Sequence, residues 1–259
     1  LNKKLQVPSA VKEEESFHDR LYCDPKAKSW LEKWMISLQP AFPKATERIL
    51  NSLGQIKDKR ICEIGCGTGI LTRELALSGG MISAVDVSGG ELKIAGERNR
   101  EFMINRVSFH KMDVCSMEFE DESFDFVVGI SILHHVDKTR ISHEIYRILK
   151  PGGRAVFTEP LRHNPISDLW RRFTPSIRTK NEAPLSYQEI EEIGKPFREV
   201  KCREFACLTL LSSLAYLFTF SKRLKNKTGD LLARWEIPVL RKCKFLRRFS
   251  GLVLIEYIK

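Results

Sequence analysis

The sequence predicts a doubly wound α/β fold, a parallel sheet with helices on both faces. Two observations carry that expectation. From Arg60 onward, short apolar runs alternate with helical segments, the order that builds βαβ units. The first run, Arg60-Ile61-Cys62-Glu63-Ile64, breaks into Gly65-Cys66-Gly67-Thr68-Gly69. Glycines at alternate positions are what a backbone needs when it turns sharply and passes close to a ligand. Right-handed crossovers then bring the strand ends to one rim, where open α/β sheets bind ligands.

The elements follow in order. Residues 1–55 read as an N-terminal helical cover. Trp30, Leu31, Trp34, Met35 and Leu38 fall at helical spacing, as a packing face does. Phe17-His18 has two readings, a lid over a pocket or part of a solvated arm. A strand over 60–66 leads into a helix over 70–78, which Gly79-Gly80 ends. A strand over 81–87 follows, then a helix near 90–103 and a strand over 107–112. The run 124–130 is almost wholly apolar, as a strand buried on both faces should be. A helix over about 138–149 stops at Lys150-Pro151-Gly152-Gly153, and a strand over 154–158 ends at Glu159-Pro160.

These strand ends collect Glu63, Asp86, Asp113, the segment Ser131–His135, and Glu159 on the rim. Asp86 lies 23 residues beyond Glu63, where an acid can take both hydroxyls of a ribose. Residue 70 is Ile, whereas a Gly-x-Gly-x-x-Gly dinucleotide turn wants glycine there. Carboxylates repel a pyrophosphate and suit a cation that carries a ribose. S-adenosylmethionine is such a molecule.

The ordered set Glu63-Ile-Gly65-Cys-Gly67-Thr-Gly69, Val85-Asp86-Val87-Ser88, Met112-Asp113-Val114, Phe124–Val128, Leu133-His-His-Val136 and Leu149-Lys-Pro-Gly-Gly153 resembles the class I S-adenosylmethionine-dependent methyltransferases. The likeness is to the subgroup of ubiquinone/menaquinone-biosynthesis-like and small-molecule enzymes, and it covers about residues 60–160. It implies a Rossmann-like, seven-stranded, mostly parallel sheet, with Arg198–Phe205 as the sixth strand and Leu252–Ile258 as an antiparallel seventh. It implies that Glu63, Gly65, Cys66, Gly67 and Gly69 hold the methionine end of the cofactor. Asp86 and Val87 would serve the ribose, Asp113 and Val114 the adenine, and the Gly129–Ile130 backbone would lie under the methionine moiety.

The acceptor side follows from the chemistry. Methylating a hydroxyl oxygen requires a base, and histidine has the pKa for it. His134 or His135, oriented by Glu159, is the candidate; a structural role for the pair is the other reading. Residues 161–259 form the acceptor side. Arg162, His163, Asn164, Trp170, Arg171, Arg172 and Arg178 are candidates for holding an acceptor, with an ordinary surface loop as the alternative. Ser186 and Glu189 have the spacing of a capping box.

Between the last two strands lies a helical insertion of about residues 209–250. Residues 205–221 carry no charge, which is marginal for a spanning helix. Lys222, Arg223, Lys225, Lys227, Arg234, Arg241, Lys242, Lys244, Arg247, Arg248 and Lys259 then face only Asp230, Glu236 and Glu256, so most of the net charge of +10 lies here. Basic residues interleaved with Leu and Phe are the composition of an interfacial helix on an anionic membrane. A lid with a solvated basic face is the alternative for 205–249.

At 259 residues, with 42% hydrophobic and 29% charged residues, the chain reads as one methyltransferase domain. The 7 cysteines lack paired zinc spacing, so no metal is expected. They point to a reducing, cytoplasmic compartment, with peripheral membrane attachment as a second reading. Leu1-Asn2-Lys3-Lys4 opens no apolar leader, although the missing initiator Met leaves an upstream segment open. The acceptor is expected to be a small molecule or lipid-linked. RNA methylation is disfavoured because Gly129-Ile130-Ser131-Ile132 replaces the Pro-Pro-aromatic motif used by many base amino-methylating enzymes. A non-catalytic, cofactor-binding partner is the remaining alternative.

Overall fold

The computed structural model describes residues 9–23, 42–101, 105–162, 164, 168, 171–172, 183–208 and 222–259. Helices α1 (Ser9–Cys23) and α2 (Phe42–Leu53) precede the alternation. It runs β1 (Arg60–Ile64), α3 (Ile70–Leu77), β2 (Met81–Asp86), α4 (Gly89–Glu101), β3 (Val107–Lys111) and β4 (Phe124–Ile130). A 3-10 turn (Leu133–His135), α5 (Lys138–Ile148), β5 (Leu149–Pro160), α6 (Tyr187–Gly194) and β6 (Glu199–Phe205) follow. Helix α7 (Lys222–Lys242), a second 3-10 segment (Lys244–Phe249) and β7 (Leu252–Ile258) complete the chain.

The strands form one sheet in the order β3-β2-β1-β4-β5-β7-β6. The pairs from β3 to β5 are parallel, and β7 lies antiparallel between β5 and β6. The doubly wound, seven-stranded expectation therefore holds. The order in which strands are added reverses between β1 and β4, and at such a switch point the crossovers diverge to leave a crevice at the carboxyl ends.

Alternate strand residues feed two cores. On one face Cys62, Ile64, Val127 and Phe157 pack with Ile141, Ile145 and Ile148 of α5 and Ile190 and Ile193 of α6. On the other, Ile61, Val128 and Val156 pack with Ile49 and Leu53 of α2 and Leu71 and Leu75 of α3. Each buried Ile or Leu contributes about 1.5–3 kcal/mol, so the sheet is held from both sides.

Local signals fix the element ends. Asp137 caps α5 by accepting from Arg140 N, and Ser186 with Glu189 forms the expected capping box of α6. One boundary needs correction. Lys150-Pro151-Gly152-Gly153 is not a loop between helix and strand, because β5 already begins at Leu149. Leu149 pairs with Phe124 and Arg154 with Phe126, so the register shifts across these residues. Gly152 at φ 75° supplies the bulge. Trp30, Leu31, Trp34, Met35 and Leu38, and residues 209–221 of the insertion, lie outside the described residues.

Candidate active site

The glycine turn stands at the carboxyl end of β1. Gly65, Gly67 and Gly69 have φ of 66°, 51° and 77°, a region that side chains enter only at a cost. A Cβ on Gly69 would also lie 2.9 Å from Ala95 Cβ of α4. The turn is held across the rim by Asp86. Its Oδ2 accepts from Gly67 N at 2.8 Å and its Oδ1 from Ser88 N at 2.9 Å. An ionised carboxylate has about four acceptor positions, so Asp86 keeps capacity toward ribose hydroxyls. Val87, next in the chain, is half-buried.

Glu63 is 2% exposed. Burial pushes its carboxyl up to about 8, with the nearby Asp86 charge adding to the rise. Its Oε2 is buried without a hydrogen-bond partner among the described residues, as is Oγ1 of Thr72. A buried, unmatched carboxylate oxygen costs stability unless a ligand donor meets it. This buried acid, its rise partly offset by hydrogen bonding with Thr72 and one oxygen unmatched, lies beside an open glycine turn and fits the cationic amino end of S-adenosylmethionine. The Cys66 thiol is buried and its pKa is driven well up, first by burial and then by Glu63 and Asp86. It therefore stays neutral and lines the wall.

Asp113 follows β3. Its Oδ1 accepts from Cys115 N at 2.9 Å, and Oδ2 lies 3.8 Å from Arg140. Val114 beside it is buried. Gly129 and Ile130 end β4, and Ile132 packs against Gly129 so closely that a Cβ there would lie 2.8 Å from Ile132 Cγ2.

Past β4 the chain turns through Ser131, whose φ of 56° is rare for a residue with a side chain. Ser131 N donates to Thr158 O of β5 at 2.8 Å. The turn aims the next residues at Glu159, which is fully buried. Glu159 Oε1 accepts from Ile132 N and Leu133 N, both at 2.8 Å, and Oε2 lies 2.7 Å from His134 Nδ1. The expected histidine–carboxylate pair thus exists, and His134 is its member. His135 packs beside it at a tilt, ring centroids 4.2 Å apart, and turns instead toward α1.

Helix α1 carries polar contacts that sequence reasoning missed. It lies across the rim and is pinned there by polar contacts. Asp19 accepts from Ser88 Oγ and Gly90 N at the start of α4. His18 Nδ1 lies 3.1 Å from Glu91 Oε2, Glu15 pairs with Lys111, and Glu14 reaches His135. Phe17 is buried, so of the two readings of Phe17-His18 the structure places them over the rim. Burial alone would lower the His18 pKa, but pairing with Glu14 and Glu91 outweighs it and raises the pKa to about 10. The signal available in the sequence was the acidic run Glu13-Glu14-Glu15 just before Phe17-His18.

On the acceptor side, Arg162 donates to Pro184 O and Glu189, and Asn164 donates to Phe249 O. These contacts fasten the connection after β5 to α6 and to the end of the insertion. His163, Trp170 and Arg178 lie outside the described residues.

Residues 62–157 match the family model described as a methyltransferase domain. A methyltransferase of Streptomyces halstedii, GfsG, is 30% identical over 135 residues, which cover 51% of this chain and 49% of that protein. The ubiquinone biosynthesis O-methyltransferase of Alkalilimnicola ehrlichii is 31% identical over 130 residues, 49% of this chain and 52% of the relative. The chain thus spans about half the length of the curated relatives it matches. Among solved structures, the phosphoethanolamine N-methyltransferase 2 of Haemonchus contortus with S-adenosyl-L-methionine superposes with a TM-score of 0.66 at 23% identity. That superposition covers 98% of this chain and 60% of that one. Residues 62–157 thus match the methyltransferase domain family, and the chain around them shares the fold of an S-adenosyl-L-methionine-bound methyltransferase.

Proposed function

We propose that this chain transfers a methyl group from S-adenosylmethionine to a hydroxyl oxygen of a small-molecule or lipid-linked acceptor. The observation that carries the reading is the buried His134–Glu159 pair beside the Asp86–Gly67 rim. Bound S-adenosylmethionine supplies an electrophilic methyl group on a cationic sulfur. Asp86 supplies acceptor atoms at the glycine turn, and the cofactor's cation draws Glu63 into its ionised form there, which fixes the cofactor in place. With Nδ1–H donating to Glu159, the basic lone pair of His134 sits on Nε2, where it takes the proton of the acceptor hydroxyl. Glu159 fixes that tautomer and stabilises the imidazolium that results. Its two backbone donors hold its own position, so the pair is set before substrate arrives.

A transfer assay with methyl-labelled cofactor against polar metabolites, lipid extract and RNA tests this. We expect label in an ether product of the first or second set. His134→Ala should lower turnover at least tenfold while leaving cofactor affinity unchanged. Label in RNA, or unaltered turnover in that variant, overturns the reading.

We also infer that α7 rests on an anionic membrane. Leu224, Leu231 and Trp235 recur at helical spacing on one face and are exposed, Trp235 by 62%. Arg223, Lys227, Arg234 and Arg241 are exposed along the same helix. The opposite side is anchored by buried Glu236, which accepts from Ala206, Cys207 and Leu208 N–H groups, each at 2.9 Å. An apolar stripe beside a basic one is the pattern that binds acidic headgroups. No helix among the described residues is long and apolar enough to cross a membrane. Cosedimentation with phosphatidylserine vesicles at low salt, weakened by added salt and by Trp235→Ser with Leu231→Ser, is the expected result. No binding at low salt removes the proposal.

A further inference from the structure

The N-terminal helix brings a second set of donor atoms to the rim. Glu14 and His18 stand four residues apart on α1, so they share one face. His135, in the turn after β4, meets them from the sheet. Glu14 Oε2 lies 3.6 Å from His18 Nε2 and 3.4 Å from His135 Nδ1. All three donor atoms lie within 4.8 Å of one another, and all three residues are partly buried.

Those separations are long for hydrogen bonds. They are ion-pair separations, and donors that share one ion stand equally far apart. Bonds of about 2.0–2.2 Å at tetrahedral angles put neighbouring donors about 3.3–3.6 Å apart. His135 Nδ1 is buried and makes no hydrogen bond among the described residues, as a nitrogen kept for a ligand would be. The shell behind the donors is also in place. His18 Nδ1 lies 3.1 Å from Glu91 Oε2, and a carboxylate on the far ring nitrogen of a ligating histidine fixes the tautomer that ligates. The His135 ring packs at a tilt against His134, which Glu159 holds.

We propose that Glu14, His18 and His135 form a site for one divalent transition-metal ion of the zinc class. Two imidazoles and a carboxylate select a borderline ion over magnesium or calcium, which prefer all-oxygen shells. Three protein ligands leave a fourth position for water or a ligand oxygen. The set was hidden in the sequence because it shows no cysteine spacing and its third member lies far along the chain. A bound ion would tie α1 to the end of β4 and so hold the rim closed. This proposal stands apart from the methyl-transfer reading, since it concerns binding of the ion alone.

The test is titration of the chelator-treated full chain with zinc, followed by dialysis and elemental analysis. Cobalt serves as a spectroscopic stand-in for the coordination geometry. We expect one zinc per chain and visible cobalt absorption of a four-coordinate site. Glu14→Gln, His18→Ala and His135→Ala should each weaken binding at least tenfold, with circular dichroism confirming that each folds. Cys243→Ser, at an exposed thiol, should leave binding unchanged. Should one histidine variant fail to fold, Glu14→Gln and the other histidine decide the matter. Absence of stoichiometric zinc in the wild-type chain, or binding that survives all three substitutions, overturns the site.

Discussion

The two walls of the crevice are built in different ways. The cofactor wall, from Glu63 through the glycine turn to Asp86, is made by residues close in sequence on adjacent strands. Its contacts are short-range and largely backbone: positive-φ glycines and a carboxylate on two N–H groups. The opposite wall is joined through side chains, over a similar span within the sheet and a much longer one to α1. Glu159 meets His134 from 25 residues away, and Asp19 of α1 reaches Gly90 across 71 residues. The first wall is rigid wherever β1 and β2 pair. The second depends on α1 docking and on the end of β5, so it can be loosened without unfolding the sheet.

This contrast can be broken or sharpened by substitution. The largest effect is expected at Asp86→Ala. It removes two backbone hydrogen bonds and the acceptors for ribose, at about 1.5–3 kcal/mol for each charged hydrogen bond lost. Calorimetry should show S-adenosylmethionine affinity down by roughly a hundredfold or more, while His134→Ala leaves it unchanged. Equal losses in both variants would mean that the two walls are one unit.

A pH effect comes next. Glu63 has a folded pKa of about 8 against an ordinary value of 4.5, and it is faced by Asp86 and the neutral Cys66 thiol. In the cofactor-free chain, folding favours the protonated form, so stability is lost as pH rises from 4.5 through about 8. A cationic ligand favours the ionised form, so binding releases a proton below that pKa. Cofactor affinity should therefore rise with pH up to about 8 and then level. Glu63→Gln should abolish the slope; a slope that persists assigns the proton elsewhere.

Smaller changes should fall on the opposite wall. Asp19→Ala removes the contacts to Ser88 and Gly90. Amide exchange in α1 should speed up about fivefold to tenfold, for a loss of about 1–1.5 kcal/mol, while β1 and β2 exchange as before. Matching acceleration in the strands would show that α1 is not a separate unit. The smallest effect belongs to Ser186→Ala at the capping box of α6. It should cost about 1 kcal/mol in chemical denaturation and nothing in cofactor affinity.

Much of the molecule was legible in the residues alone. Strand 124–130 was readable to the residue because a doubly covered strand is nearly all apolar, strand 252–258 because the family resemblance implies an antiparallel seventh strand there, and the capping box at Ser186 announces itself over three residues. The cofactor wall was legible for the same reason. A glycine turn after a strand and an acid at the next strand end are local patterns, and local backbone geometry is written in local sequence. The bulge at Lys150–Gly153 was misread because proline and glycine mark a break in pairing without saying whether the chain leaves the sheet or kinks within it.

Tertiary structure alone decided the rest. The sequence offered His134 and His135 as equals. Only the turn at Ser131 and the buried end of β5 give His134 to Glu159 and His135 to α1. Glu14 and Asp19 went unnoticed, and Phe17-His18 stood between a lid and a solvated arm until α1 was seen to cross the rim. Periodicity records which face of a helix is buried, but not which partner buries it, because that choice depends on contacts separated by most of the chain. What the sequence by itself determined was therefore the sheet and the wall that meets the cofactor. What folding decided was which side chains close over it.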